Sequence, residues 1–268
     1  ITIIDDDGEK GFYTKLRPLA LEYGITFTSA LITGVSRGFP GDNRTPNSKF
    51  MNYDEIMQMN KEGTAEFISH THTHPDLRTL SVAEIREEFI KSRDFLRKYG
   101  FNHRAVVFPF NRVNQEVMNE VRTIYDFAFG NRPHGTVRPP FDNYYLPRNV
   151  IRFGDNIEDL KNVINTAAEN NEWVTLYTHV DQNVYHEHEM RELIEHALTK
   201  GLQFVTAKEG METHGNIAQL QTPKYTAFDP DNIDEIDIIT AEGNLYGPNL
   251  GNMGTVRISQ LGEYVHNA

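Results

Sequence analysis

Cysteine is absent from the 268 residues. Neither disulfides nor thiolate metal sites are therefore available to this chain, and the absence alone leaves its compartment open. Positive charge is scarce, with 26 Lys and Arg against 38 Asp and Glu, a net charge of −12. No basic stripe stands out, which disfavours nucleic acid as a partner. No apolar run approaches the roughly 20 residues that a membrane helix needs. No secretory leader pattern opens the chain. It starts on Ile1, inside a strand pattern, so a fragment of a longer or processed protein is expected. Composition is uniform over most of the length, which argues for one large domain with a sizeable core and a small appendage.

What is present centres on Ser69-His70-Thr71-His72-Thr73-His74-Pro75. His70 and His74 are four apart, and one helical turn would set both imidazoles on the same side. Such a pair can share one metal ion. Ser69 and Thr71 are candidate hydroxyls for holding the rings, and Pro75 starts a new segment. A further ligand is expected from the start of the chain. Ile1-Thr2-Ile3-Ile4 reads as a buried strand running into Asp5-Asp6-Asp7-Gly8. Consecutive carboxylates there repel unless a positive group or water relieves them. One Asp and two His around a cation would answer both stretches at once.

The rest of the chain alternates short apolar runs with amphipathic ones. Strands are expected at 25–32, 66–69, 105–108, 127–129, 150–153, 173–179 and 202–206. Helices are expected at 13–23, 52–61, 81–99, 114–124, 157–170 and 187–200. Ser81 with Glu84 forms a capping box, and residues 34–50 read as a long Gly/Pro/Asn-rich loop. This rhythm predicts an α/β fold, a parallel sheet with helices outside, closed as a distorted (β/α)7-type barrel. The candidate chemistry falls at the C-terminal ends of strands, where barrels carry their sites. Residues 1–210 are assigned to the barrel and 211–268 to a linker and a small β-rich appendage.

These residues resemble the polysaccharide deacetylases, carbohydrate esterase family 4, the NodB-like domain. The likeness rests on Asp6-Asp7-Gly8, on His70-Thr71-His72-Thr73-His74-Pro75, on Phe108-Pro109-Phe110-Asn111, on Leu146-Pro147-Arg148 and on Leu176-Tyr177-Thr178-His179. It implies a divalent metal, usually zinc, held by Asp7, His70 and His74. It implies Asp6 as general base, His179 as general acid and the Phe110 backbone N–H as an oxyanion donor. Asp5 and Asp6 would take the two aspartate roles if Asp7 stood in the glycine position, but Gly8 already occupies that place. Two departures mark a divergent branch. Val107 and Phe108 stand where many members carry an arginine that holds the base, and Arg148 is the candidate replacement. Asn111 replaces a glycine, and Asn is the next best residue for a left-handed turn.

The implied activity is removal of acetyl groups from an N-acetylated polysaccharide of cell wall or exopolysaccharide type. The alternatives are a non-catalytic carbohydrate-binding module of a surface or phage-tail assembly, and an O-acetyl esterase on xylan. Action outside the cytoplasm, at the cell surface or in a phage particle, is expected. His72 is expected to face away from the metal pair. Trp173 is read as either a wall of an acetyl pocket or a core residue. Phe141, Tyr144 and Tyr145 are candidates for stacking on sugar, and His134, His186, His188, His196 and His214 are read as surface residues.

Overall fold

The computed structural model describes residues 1–214 apart from 46, 131–134, 138–141 and 183. The expected β-rich appendage, with Phe141 and His134, lies outside the described residues. Seven parallel strands form one sheet in the order β5-β4-β3-β2-β1-β7-β6. They are β1 (Thr2–Asp5), β2 (Phe27–Leu31), β3 (Ala65–Ser69), β4 (Ala105–Val107), β5 (Phe127–Phe129), β6 (Asn149–Val150) and β7 (Thr175–Thr178). The two outer strands are joined by the segment leading into β6. The Leu146 N–H donates to Ala128 O (2.9 Å) and the Gly130 N–H donates to Leu146 O (3.0 Å). The sheet thus curls into the distorted barrel that the alternating pattern predicts.

Strand composition follows from this placement. A strand covered on both faces reads as a continuous apolar run, and all four residues of β1 are buried. Alternate side chains divide between two cores. Ile4, Ala30, Ile68, Val107, Phe129 and Tyr177 belong to one cluster, within the barrel. Ile3, Phe27, Leu31, Phe67 and Leu176 belong to another, beneath the helices.

The helices are α1 (Arg17–Tyr23), preceded by a π-helical turn at Phe12–Leu16, then α2 (Tyr53–Glu62), α3 (Val82–Lys98), α4 (Gln115–Ile124), α5 (Ile157–Asn170), α6 (Glu187–Thr199) and α7 (Ala207–His214). The expected capping box of Ser81 with Glu84 forms on α3, and Asn52 with Glu55 makes another on α2. Each satisfies two amide donors that the helix start leaves free.

Three expected elements differ. Residues 202–206 form no strand. They touch the sheet only at its margin, where the Val205 N–H donates to Ile1 O and the Thr2 hydroxyl donates to Val205 O. Both neighbours of β1 are already β2 and β7, so no lateral seat remains there. The strand expected at 150–153 is confined to Asn149–Val150. The stretch from 207 continues as α7 to His214 rather than opening a linker at 211.

Candidate active site

β3 ends at Ser69, and the histidine motif that follows is not helical. Thr71 (φ 66°) and His74 (φ 62°) are both left-handed, so a doubled-back loop, rather than a helical turn, brings His74 to His70. Their ring centroids lie 4.7 Å apart. The hydroxyls hold this loop instead of the rings. Ser69 Oγ accepts from the Thr71 N–H (3.1 Å), and Thr71 Oγ1 accepts from the His74 N–H (3.1 Å). Glu88 of α3 clamps the tip, accepting from the His72 N–H, the Thr73 N–H and the Thr73 hydroxyl. The His70 ring is set by its Nδ1, 2.9 Å from Val107 O. A carbonyl only accepts, so Nδ1 carries the proton and Nε2 presents its lone pair.

That lone pair faces Asp7. His70 Nε2 and His74 Nε2 each lie 3.5 Å from Asp7 Oδ1. This oxygen is buried and has no hydrogen-bond partner. Burial, followed by the charge of His70, pushes His74 down to about 4, which leaves it neutral and able to ligate at pH 7. A tetrahedral ion with bonds of about 2.1 Å separates its ligands by about 3.4 Å. The triad fits such an ion in donor type and in spacing. Asp7 Oδ2 accepts from Gln182 Nε2, which also reaches Glu9 Oε1 at 3.4 Å.

Asp6 and Asp5 lie in different settings. Asp6 Oδ1 accepts from Arg148 Nη1 at 2.7 Å, with both side chains buried. Burial alone would raise the Asp6 carboxyl, but Arg148 and then His70 and His179 outweigh it and hold the group below its ordinary value. Arg148 precedes β6, whose Asn149 is level with Leu176 and so with Ile3. Its side chain must therefore climb the barrel, passing 4.3 Å from the Tyr177 ring centroid. Its Nη2 donates to Asn111 Oδ1 at 2.9 Å. Asn111 thus takes the left-handed turn (φ 54°) and also anchors the guanidinium, which a glycine cannot do. Asp5 is turned away, accepting from the Val180 N–H at 2.9 Å. Burial pushes its carboxyl well above the usual range. The three aspartates therefore need not repel as three equal charges: burial shifts Asp5 toward its neutral form, Asp6 is paired with Arg148 and Asp7 faces two imidazoles.

His179 follows β7, half-buried, with Nε2 3.9 Å from Asp6 Oδ2. These groups open on a cavity of about 380 Å³, also lined by Ile32, Lys49, Phe50, Phe110 and Gln182. Phe110 (φ 56°) is 54% exposed, with its ring 4.6 Å from that of His74. Lys49, from the long loop, pairs with the buried Glu9 at 2.6 Å. Glu9, Lys49, Glu88 and Gln182 escaped the sequence reading, since none lies in a recognisable string.

Other candidates fall elsewhere. His72 turns to Thr33, with Nδ1 3.1 Å from the hydroxyl. Tyr144 is buried in the cluster beneath α3 and α4. Tyr145 packs on Phe108 at 6.4 Å. Trp173 is a core residue at the opposite end of the barrel, with Nε1 donating to Thr2 Oγ1 at 2.9 Å. His214, partly buried, stacks on it. Trp173→Phe is accordingly expected to cost stability, about 1–2 kcal/mol for the lost bond, with KM unchanged. Urea unfolding together with kinetics checks this, and a raised KM at wild-type stability would contradict it.

Residues 1–125 match the family model described as polysaccharide deacetylase. This N-terminal stretch is similar to the polysaccharide deacetylase family. It is 26% identical over 158 residues to the poly-beta-1,6-N-acetyl-D-glucosamine N-deacetylase of Staphylococcus aureus strain MSSA476, over 54% of this chain and 52% of that protein. The protein of the same name from Staphylococcus epidermidis is 26% identical over 161 residues, with the same coverage. The chain thus spans about half the length of these relatives. Among solved structures, a Streptococcus pyogenes deacetylase in complex with acetate superposes with a TM-score of 0.53 at 24% identity, covering 60% of this chain and 69% of that one. The chitin deacetylase of Colletotrichum lindemuthianum gives 0.53 at 20% identity, covering 78% and 85%. These two likenesses establish the deacetylase barrel as the fold.

Proposed function

We propose that this polysaccharide deacetylase domain hydrolyses the N-acetyl groups of a glucosamine polymer, with a β-1,6-linked exopolysaccharide as the favoured substrate. The carrying observation is the pairing of Asp6 with Arg148 beside the Asp7–His70–His74 triad. It sets an ionised carboxylate next to a ligand set. The names of the Staphylococcus relatives support the choice of polymer. Asp7, His70 and His74 would hold a divalent ion, which when bound would lower the pKa of a water and polarise the acyl oxygen. Asp6 takes the proton of the attacking water. The Phe110 N–H donates to the oxygen that gains charge. His179 gives a proton to the departing sugar nitrogen as the C–N bond breaks. The products are acetate and a free amine. Phe110, exposed beside His74, offers an apolar face to the sugar ring. A polymeric substrate also fits action at or beyond the cell surface, which fractionation of producing cells would check.

Acetate release from oligomers of β-1,6-linked N-acetylglucosamine, from chitooligosaccharide, from peptidoglycan and from acetylxylan tests the reading. Release is expected to be fastest from the first. Faster release from acetylxylan would assign an O-acetyl esterase, and no release from any would assign a binding module. Metal content gives a separate check. His74→Ala is expected to lose the ion after zinc reconstitution and dialysis, and His72→Ala to keep it. The reverse pattern would assign the wrong pair of histidines.

A further inference from the structure

A second group of ligand-type side chains lies where the connection from β7 enters α6. His186, His188 and Glu189 bring one donor atom each within 4.8 Å of one another. His186 Nδ1 is 3.2 Å from Glu189 Oε1, and His188 Nε2 is 3.9 Å from the same oxygen. The two imidazoles are nearly parallel, inclined by 19° with centroids 5.5 Å apart. The local backbone allows this approach. His186 is extended (φ −108°, ψ 102°) just ahead of the helix, so its ring direction is not fixed by the helical repeat that places His188 and Glu189. Glu189, three residues on, then falls within the first turn.

The carboxylate is already oriented. Its Oε2 accepts from the Gly154 N–H at 2.7 Å, leaving Oε1 toward the two rings. His186 Nδ1 is buried and makes no hydrogen bond, despite its distance from Glu189. A protonated imidazole paired with a carboxylate would point its N–H in line with the oxygen. Here the nitrogen and the oxygen stand 3.2 Å apart without an aligned hydrogen bond, a separation that ligands of one ion adopt.

We propose that His186, His188 and Glu189 form a second site for a divalent late transition metal, zinc, nickel or copper by donor type, distinct from the Asp7–His70–His74 triad. A helix N-terminus disfavours a cation, and the carboxylates of Glu187 and Glu189 in the first turn offset this. An ion there ties α6 to the loop of Gly154. The inference stands on these three residues and does not depend on the reaction assigned above.

The test is zinc stoichiometry by elemental analysis after equilibrium dialysis, on the whole chain. Wild type is expected to hold one equivalent more than His188→Ala, a side chain 78% exposed whose loss leaves the fold intact. Acetate release by His188→Ala should stay at the wild-type rate, because His188 touches none of the catalytic groups. His74→Ala should lose a different equivalent and abolish release, and the double variant should lose both. The melting temperature of His74→Ala should still rise with added zinc, and that of the double variant should not. Equal stoichiometry in wild type and His188→Ala would overturn the proposal, whatever the activity.

Discussion

Asp6→Asn is expected to lower turnover by roughly 10²- to 10⁴-fold, the usual worth of a positioned base, while zinc content stays at the wild-type level. The substitution keeps the side-chain shape and its place beside Arg148 but removes the proton acceptor. Asp7→Asn is expected to lose activity and metal together, since Asp7 Oδ1 is the atom facing both imidazoles. Asp5→Asn should retain both. Asp5 is buried, its Oδ1 accepts from the Val180 N–H and burial raises its pKa, and an amide there removes neither the ligand nor the base. Kinetics with elemental analysis on the three variants separates the roles. Metal loss from Asp6→Asn with retention in Asp7→Asn would move the assignment by one residue.

Arg148→Met is the second change with a large expected effect. Breaking a buried pair by removing one partner costs about 3–5 kcal/mol, because the remaining charge is left uncompensated. In the wild type the Asp6 pKa is depressed. The pair's contribution is therefore fully present above the unfolded carboxylate value of about 3.9 and fades as pH falls through the folded value. Without Arg148, burial, the largest influence on Asp6, acts with less opposition and its pKa rises. The acid limb of the activity profile should then move to higher pH, and the stability gap from wild type should close in acid. Arg148→Lys should rescue only part, since one ammonium cannot hold both Asp6 and Asn111 in the fork geometry. Denaturant unfolding and kinetics across pH measure both effects. An unmoved acid limb would show that Arg148 does not tune the base.

What was legible in the sequence shares one property: it is local. Asp6-Asp7-Gly8 and His70 to His74 are short strings at strand ends, and the barrel brings strand ends together without further information. Arg148 was legible only as a substitute for a missing residue, because its contact with Asp6 spans 142 positions. Gln182 reaches Asp7 across 175 positions from a stretch with no pattern of its own. The helical reading of the histidine motif failed because two left-handed residues produce the same approach as an i, i+4 turn. The strand expected at 202–206 failed for a tertiary reason, since both sides of β1 were occupied. Trp173 stayed open between pocket wall and core in the sequence, because apolar character does not tell which end of a strand faces substrate, and the fold places it in the core.

The central claim is that a metal held by Asp7, His70 and His74 and a base at Asp6 together remove acetyl groups. The most direct test measures acetate released from an N-acetylated β-1,6-glucosamine oligomer by chelator-stripped protein as zinc is titrated back. Release should be near background without metal and should rise with the equivalent that His74→Ala fails to bind. An undiminished rate in the stripped protein, or none after full reconstitution, would contradict it.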